Sequence, residues 1–163
     1  ETAAESASRL LMTGEAQTTT DSNGTVGLTA DDFKNAICNG LSGKDASGNS
    51  VTYPKMLPSM LKCSRLTVNV TTIPSYNVAS LGPPTFTYNG NGVLTSTGTG
   101  YNALSSGSGQ NRIVVLQLVY LWPTAKGPLG LDLSNEPNND RMIIATSAFT
   151  AEDYSCAASQ ASC

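Results

Sequence analysis

The chain contains no histidine. Ser–His and Cys–His nucleophilic catalysis are therefore unavailable to it, as is any zinc site with an imidazole ligand. Its four cysteines stand at Cys38, Cys63, Cys156 and Cys163. None forms a CxxC pair, and an all-thiolate metal site at these spacings would be unusual. An even cysteine count without a metal pattern points to two disulfides and an oxidising compartment. The alternative is four buried free thiols in a reducing cytosol.

Other patterns resemble chemistry on paper. "GTGYNA", with Gly98, Gly100 and Ala103, matches a dinucleotide fingerprint. It follows no convincing strand, opens no periodic helix and has no acid about 20 residues on. "SMLK", from Ser59 to Lys62, matches S-x-x-K, but the companion S-D-N and K-T-G motifs are absent. Both read as chance matches, and no carboxylates are spaced for paired acid and base work. The sequence gives no sign of an enzyme, and no cofactor is expected. The cluster "DLSNEPNND" is a weak calcium candidate through Asp132, Asn135, Glu136, Asn138 and Asp140, with a solvated, turn-rich loop as the bland alternative. "DSNG" at 21–24 is weaker still. Asn23-Gly24-Thr25 and Asn69-Val70-Thr71 are N-glycosylation sequons, a triplet that chance produces often.

Composition narrows the class. The 163 residues suit a single domain spanning 1–163. Charged residues are 13%, well under the globular norm of roughly 25%, and Ser, Thr, Asn and Gly supply the polarity instead. That surface is typical of secreted or cell-surface β-rich domains. Net charge is −3 with no Lys/Arg cluster, which argues against nucleic acid and against electrostatic attraction to an anionic membrane. The longest apolar run, residues 113–122, contains Gln117 and falls short of the roughly 20 residues a spanning helix needs.

These residues are held by a legible series of elements. Ala3, Ala7, Leu10 and Leu11 share one face of a first helix that Gly14 stops. No cap residue and no initiator Met precede that helix, so it is expected to continue upstream. Thr29 and Asp32 form a capping box for a second helix with Phe33, Ala36, Ile37 and Leu41 on its apolar face, ended by Gly40 and Gly43. Cys38 follows Ile37. Residues 18–27 and 43–50 read as loops, and 53–59, with two prolines, as extended or turn-like. "RLTVNVTTI" alternates as a half-buried strand, and "TFTYNG" is a short strand ending in a turn signal. "NRIVVLQLVYLW" is apolar on both faces and belongs at the centre of a sheet, with "RMIIATSAFT" as the last strand. No βαβ alternation follows Cys63. The expected architecture is α+β, with two helices packed on a mostly antiparallel sheet of about four strands with long loops.

Sequence allows three disulfide connectivities. We expect Cys38–Cys63, which would fix the capped helix to the sheet edge, and Cys156–Cys163, which would close a short C-terminal loop.

Five segments in order, "SASRLLMTGEAQ", "LTADDFKNAICNGL", "MLKCSRLTVNV", "VVLQLVYLWP" and "RMIIATSAFTAEDY", resemble the TadE-like minor pilins of the bacterial Tad (Flp) type IV pilus system. The resemblance covers about residues 7–154. Its most specific parts are R-L-[apolar]-x-T-G-x-A-Q at the end of the first helix and the placement of Cys38 and Cys63. The tail "SCAASQASC" lies outside it. The resemblance implies a truncated pilin-type helix, preceded by a leader and a membrane helix. It implies a minor pilin or pseudopilin, located in the inner membrane facing the periplasm or in an extracellular pilus. Its partners would be other pilins and assembly proteins, met through the N-terminal helix. The alternative is an adhesin or surface-binding module at a pilus tip, binding through loops 74–111 and 123–140.

Overall fold

The computed structural model describes residues 2–20, 24–73, 84–91, 94–101, 113–124, 127 and 132–152. Helix α1 is Thr2–Met12 and buries Ala4, Ala7, Leu10 and Leu11 while Arg9 stays exposed. Spacings of three and four put these side chains on one stripe. Gly14 then turns the chain at φ 78°, a left-handed conformation that costs glycine least. Helical backbone resumes before the loop that the sequence suggests from Thr18. Gly14 O accepts from Gln17 N and Thr18 N, and a second short helix, α2 (Glu15–Thr18), buries Ala16, Gln17 and Thr18. Four residues are too few to leave a periodic signal.

Helix α3 (Ala30–Asn39) starts on the expected capping box. Thr29 Oγ1 accepts from Asp32 N at 3.2 Å, and the Asp32 carboxylate accepts from Thr29 N at 3.3 Å. It ends at Gly40, where a Cβ would meet Tyr53 O at 2.7 Å. Leu41 is therefore not on the helix face but begins strand β1 (Leu41–Lys44). That strand pairs antiparallel with β2 (Ser50–Tyr53). Gly43, read as a helix stop, lies inside β1, where a Cβ would come within 2.6 Å of Thr20 O. The hairpin replaces the expected loop. Asp45 closes its turn by accepting from Ser47 N and Asn49 N at 2.9 and 2.8 Å. The Asn49 side-chain amide, ahead of these backbone donors, helps hold the Asp45 carboxyl below its ordinary pKa.

The main sheet has the order β3–β6–β7, all antiparallel, with β3 Leu66–Ile73, β6 Ile113–Pro123 and β7 Asp140–Thr150. Where a sheet of about four strands was expected, the described residues form one of three. The segment expected as its fourth strand becomes β4 (Thr87–Tyr88), which pairs with β5 (Leu94–Ser96) in a separate hairpin. A two-residue strand has too few ladder bonds to extend the larger sheet. β6 is central, and residues 113–120 are all buried. Val114, Leu116, Leu118 and Tyr120 join the core made by α1, α3 and β3. Ile113 and Val115 cluster with Ile73 on the opposite face.

Cys38 and Cys63 are joined, with Cα atoms 5.5 Å apart and a separation of 25 residues. Cys38 is buried at the end of α3, and Cys63 opens a 3₁₀ turn that leads into β3. The segment between them is anchored too, because Ile37 O accepts from both Met56 N and Leu57 N at 3.0 and 2.8 Å. Cys156 and Cys163 lie outside the described residues.

Two outcomes follow for stability. Leu11 is fully buried, so Leu11→Asp should destabilise the domain by about 3 kcal/mol or more, visible as a lower melting temperature. Cys38→Ser releases a loop whose closure contributes roughly 3 kcal/mol in the chain-entropy account. It should lower the denaturation midpoint in urea, and an unchanged midpoint would show that the packing of Ile37 against 56–57 holds the joint alone.

Candidate functional site

The sheet outruns its cover at one end. β6 continues past Tyr120 to Trp122, whose ring centroid lies 6.0 Å from that of Tyr120. Trp122 is 40% exposed, Ile143 47% and Leu133 51%. Among the described residues only one other large hydrophobic, Met60, is exposed as such, so three of the four stand together. They line an open groove of about 440 Å³ with Thr124 and Arg141.

Polar groups hold this end in shape. Arg141 faces Trp122 across the β6–β7 ladder, and its Nη1 donates to Leu133 O at 3.1 Å, which ties the loop to the strand. Arg65 Nη1 donates to Leu121 O at 3.2 Å and to Asp140 Oδ1 at 2.7 Å. Thr124 Oγ1 donates to Asn139 O at 2.6 Å. Asn138 and Asn139 carry positive φ angles of 65° and 58°, which asparagine tolerates better than most residues. Next to the groove, Ala3, Ala4, Leu57, Leu61, Tyr120 and Ile143 line an apolar cavity of about 120 Å³ under the start of α1. Trp, Tyr and Arg are also the side chains that most often anchor protein interfaces.

The calcium candidates sit at the same end, and the structure directs their oxygens elsewhere. Asp132 Oδ1 accepts from Ser134 N and Ser134 Oγ at 2.9 and 2.6 Å. Asn135 Oδ1 accepts from Met142 N at 2.7 Å. Asp140 is engaged by Arg65, and Glu136 lies beside the Tyr88 hydroxyl, whose pKa burial raises first and the nearby carboxylates raise further. Calcium needs six to eight oxygens around one point. No cluster of three or more acidic, Cys or His side chains suited to a metal forms among the described residues.

The remaining sequence candidates disperse. Ser59 and Lys62 are exposed in an irregular turn. Gly98 and Gly100 follow β5 and open no helix in the described stretch, and Gly100 N donates to Asn69 Oδ1 at 2.8 Å. Ala103 and Asn23 lie outside the described residues. The second sequon is spent inside the fold, because Asn69 Nδ2 donates to Gln117 Oε1 at 2.8 Å in mid-sheet. Sequence reasoning missed the groove. It placed Trp122 within a central strand, and the only available signal was a single Trp followed by Pro at the end of an apolar run.

A second groove, of about 500 Å³, runs between α1 and the chain after β2 and is lined by Arg9, Glu15, Tyr53 and Lys55 among others. Burial raises the Tyr53 pKa, and its hydroxyl shares a 2.9 Å hydrogen bond with Thr19 Oγ1. No helix among the described residues is long and apolar enough to cross a membrane. No protein-family model, curated protein or solved structure matches the chain.

Because Asp132, Asn135 and Asp140 already have protein partners for their side-chain oxygens, the cluster should not gather calcium. Millimolar calcium should leave the melting temperature where a chelator leaves it. A rise with calcium, lost in Asp140→Asn, would show that the loop rearranges to bind.

Proposed function

We propose that this chain is the periplasmic or extracellular part of a TadE-like minor pilin, acting in assembly or tip display of a Tad pilus. One observation carries the reading. The most specific segment of the resemblance, residues 9–17, is a structural corner and not a stretch of surface. Leu10 and Leu11 seat α1 on the sheet, Gly14 turns the chain, and Gln17 Nε2 reaches back to Leu11 O at 3.3 Å. A helix laid on an antiparallel sheet by its apolar stripe suits a protein whose helix also carries it into an assembly. Its partners would be other pilins and assembly proteins met through that helix.

A second reading is an adhesin or surface-binding module at the tip. The groove at Trp122, Leu133 and Ile143 favours it, since Leu133 belongs to the 123–140 loop where binding was expected.

The gene decides between these and any unrelated function. Its reading frame should carry a short basic leader and an apolar helix of roughly 20 residues ahead of Glu1. Deleting the gene should reduce or abolish surface pili seen by electron microscopy, and the full-length product should fractionate with the inner membrane or with sheared pili. A frame without that helix, together with unchanged piliation, would overturn the proposal. Loss of surface attachment in Trp122→Ala, with pili still assembled, would favour the tip module.

A further inference from the structure

β7 is an edge strand, paired with β6 on one side and with no strand on the other among the described residues. Its register shows which backbone groups face outward. Thr124 N donates to Asn139 O at 2.8 Å where the two strands begin. In an antiparallel ladder, residues 141, 143 and onward in steps of two therefore turn their backbone groups toward β6. Residues 140, 142, 144, 146, 148 and 150 turn theirs away. The chain uses the first of these itself. Asp140 O accepts from Asn135 N and Glu136 N, and Met142 N donates to Asn135 Oδ1. Just past the strand, Glu152 N donates to Met12 O at 2.9 Å. Among the described residues the outer edge is thus closed at both ends and open between. The backbone groups of Ile144, Thr146, Ala148 and Thr150 have no hydrogen-bond partner among the described residues.

This open stretch, "IATSAFT", carries no charge and no proline, and it pairs with β6 without a register shift. Charges, prolines and bulges are the devices that keep natural edges from pairing with other chains. The opposite edge of the sheet is partly occupied, since Val70 N on β3 donates to Gly100 O at 2.9 Å.

We propose that the β7 edge is a self-association surface, on which β7 of a second copy pairs antiparallel about a two-fold axis at Ser147. The strand is self-complementary in that register. Thr146 falls opposite the second copy's Ala148, and Ile144 opposite its Thr150, all with outward-facing groups, so each pair can exchange N–H···O bonds. At the intervening positions Phe149 meets Ala145, large against small, and Ser147 meets its own copy. No like charges oppose each other. The two sheets become continuous across the axis. This inference does not rest on the pilin reading.

Analytical ultracentrifugation of the chain over a range of concentrations tests it. The expected result is a dimer that dissociates on dilution. Ala148→Pro removes an outward N–H that the β6 ladder does not use, so the fold should stay and the dimer be lost. If the proline disturbs folding, Ala148→Lys keeps the backbone donor and places two like-charged side chains on diagonal positions whose backbones lie about 7–8 Å apart across the axis, which should likewise give a folded monomer. Ser147→Cys reports the register. Opposed residues at a non-hydrogen-bonded position have Cα atoms about 4.5 Å apart, within disulfide reach. That variant should oxidise to a covalent dimer with a 147–147 linkage by peptide mapping, while Ala145→Cys should give no 145–145 linkage. A wild-type chain that is monomeric at every concentration, a dimer that survives Ala148→Lys, or a dimer that lacks the 147–147 linkage would each overturn the proposal.

Discussion

The structure depends on one constraint: β6 has apolar side chains on both faces and cannot be left half-covered. Residues 113–120 alternate between two sides of the sheet, and every one is buried. A strand of this kind must sit between two others and under cover on both faces. β3 and β7 supply the flanks, and α1 and α3 supply the cover for Val114, Leu116 and Leu118. Even the polar member of the strand conforms, since buried Gln117 is matched by Asn69 on β3. Leaving that amide unpaired would cost about 1–3 kcal/mol. Asn69 in turn holds Gly100, so the polar pair in mid-sheet also fixes a neighbouring loop.

Covering the strand requires helices that cannot drift, and each is fastened by a different chemistry. α1 is held by its stripe of Ala and Leu, and its end by the return of Gln17 to Leu11. α3 is fastened at both ends: at its start by the Thr29–Asp32 box, at its finish by Cys38 and by the carbonyl of Ile37. The disulfide and the two hydrogen bonds at Ile37 act on the same joint. A hydrogen bond is worth about 0.5–1.5 kcal/mol net, so the covalent link is the larger contribution, but the bonds define where residues 56–57 lie. Their side chains, Met56 and Leu57, then close the core beneath.

Long periodic segments were legible in the sequence for physical reasons. The capping box joins Thr29 to Asp32, only three residues on, and β6 and β7 are eleven residues long. The disulfide between Cys38 and Cys63 was also legible, because a helix end and a strand entrance are natural neighbours. What failed was short or decided by contacts far away in sequence. β1 and β2 hold four residues each, and β1 is placed by its exchange of hydrogen bonds with Thr20 at 2.8 and 3.0 Å. No local pattern announces that. Gly43 looked like a helix stop, and its real reason is the close approach of the Thr20 backbone. The oxygen-rich loop is a different case. The sequence showed oxygen-rich residues but not that Arg65, Ser134 and Met142 would engage them.

The groove at Trp122 was illegible for a reason that also bears on what the fold can do. From sequence, the apolar run of β6 looks uniform, yet burial ends at Tyr120 while the strand continues to Pro123. The three residues beyond the core are held rigid by the same ladder that carries the core, and by Arg65 on the Leu121 carbonyl. A side chain displayed on such a strand loses little further freedom when a partner covers it, which is the condition under which buried apolar area converts most fully into affinity. The opposite end of the sheet is committed to the helix corner at Gly14 and to the Met12–Glu152 contact. Rigidity therefore serves two ends differently. At one it closes the fold, and at the other the ladder carries Trp122 and Ile143, with Leu133 tied beside them through Arg141, in an open array.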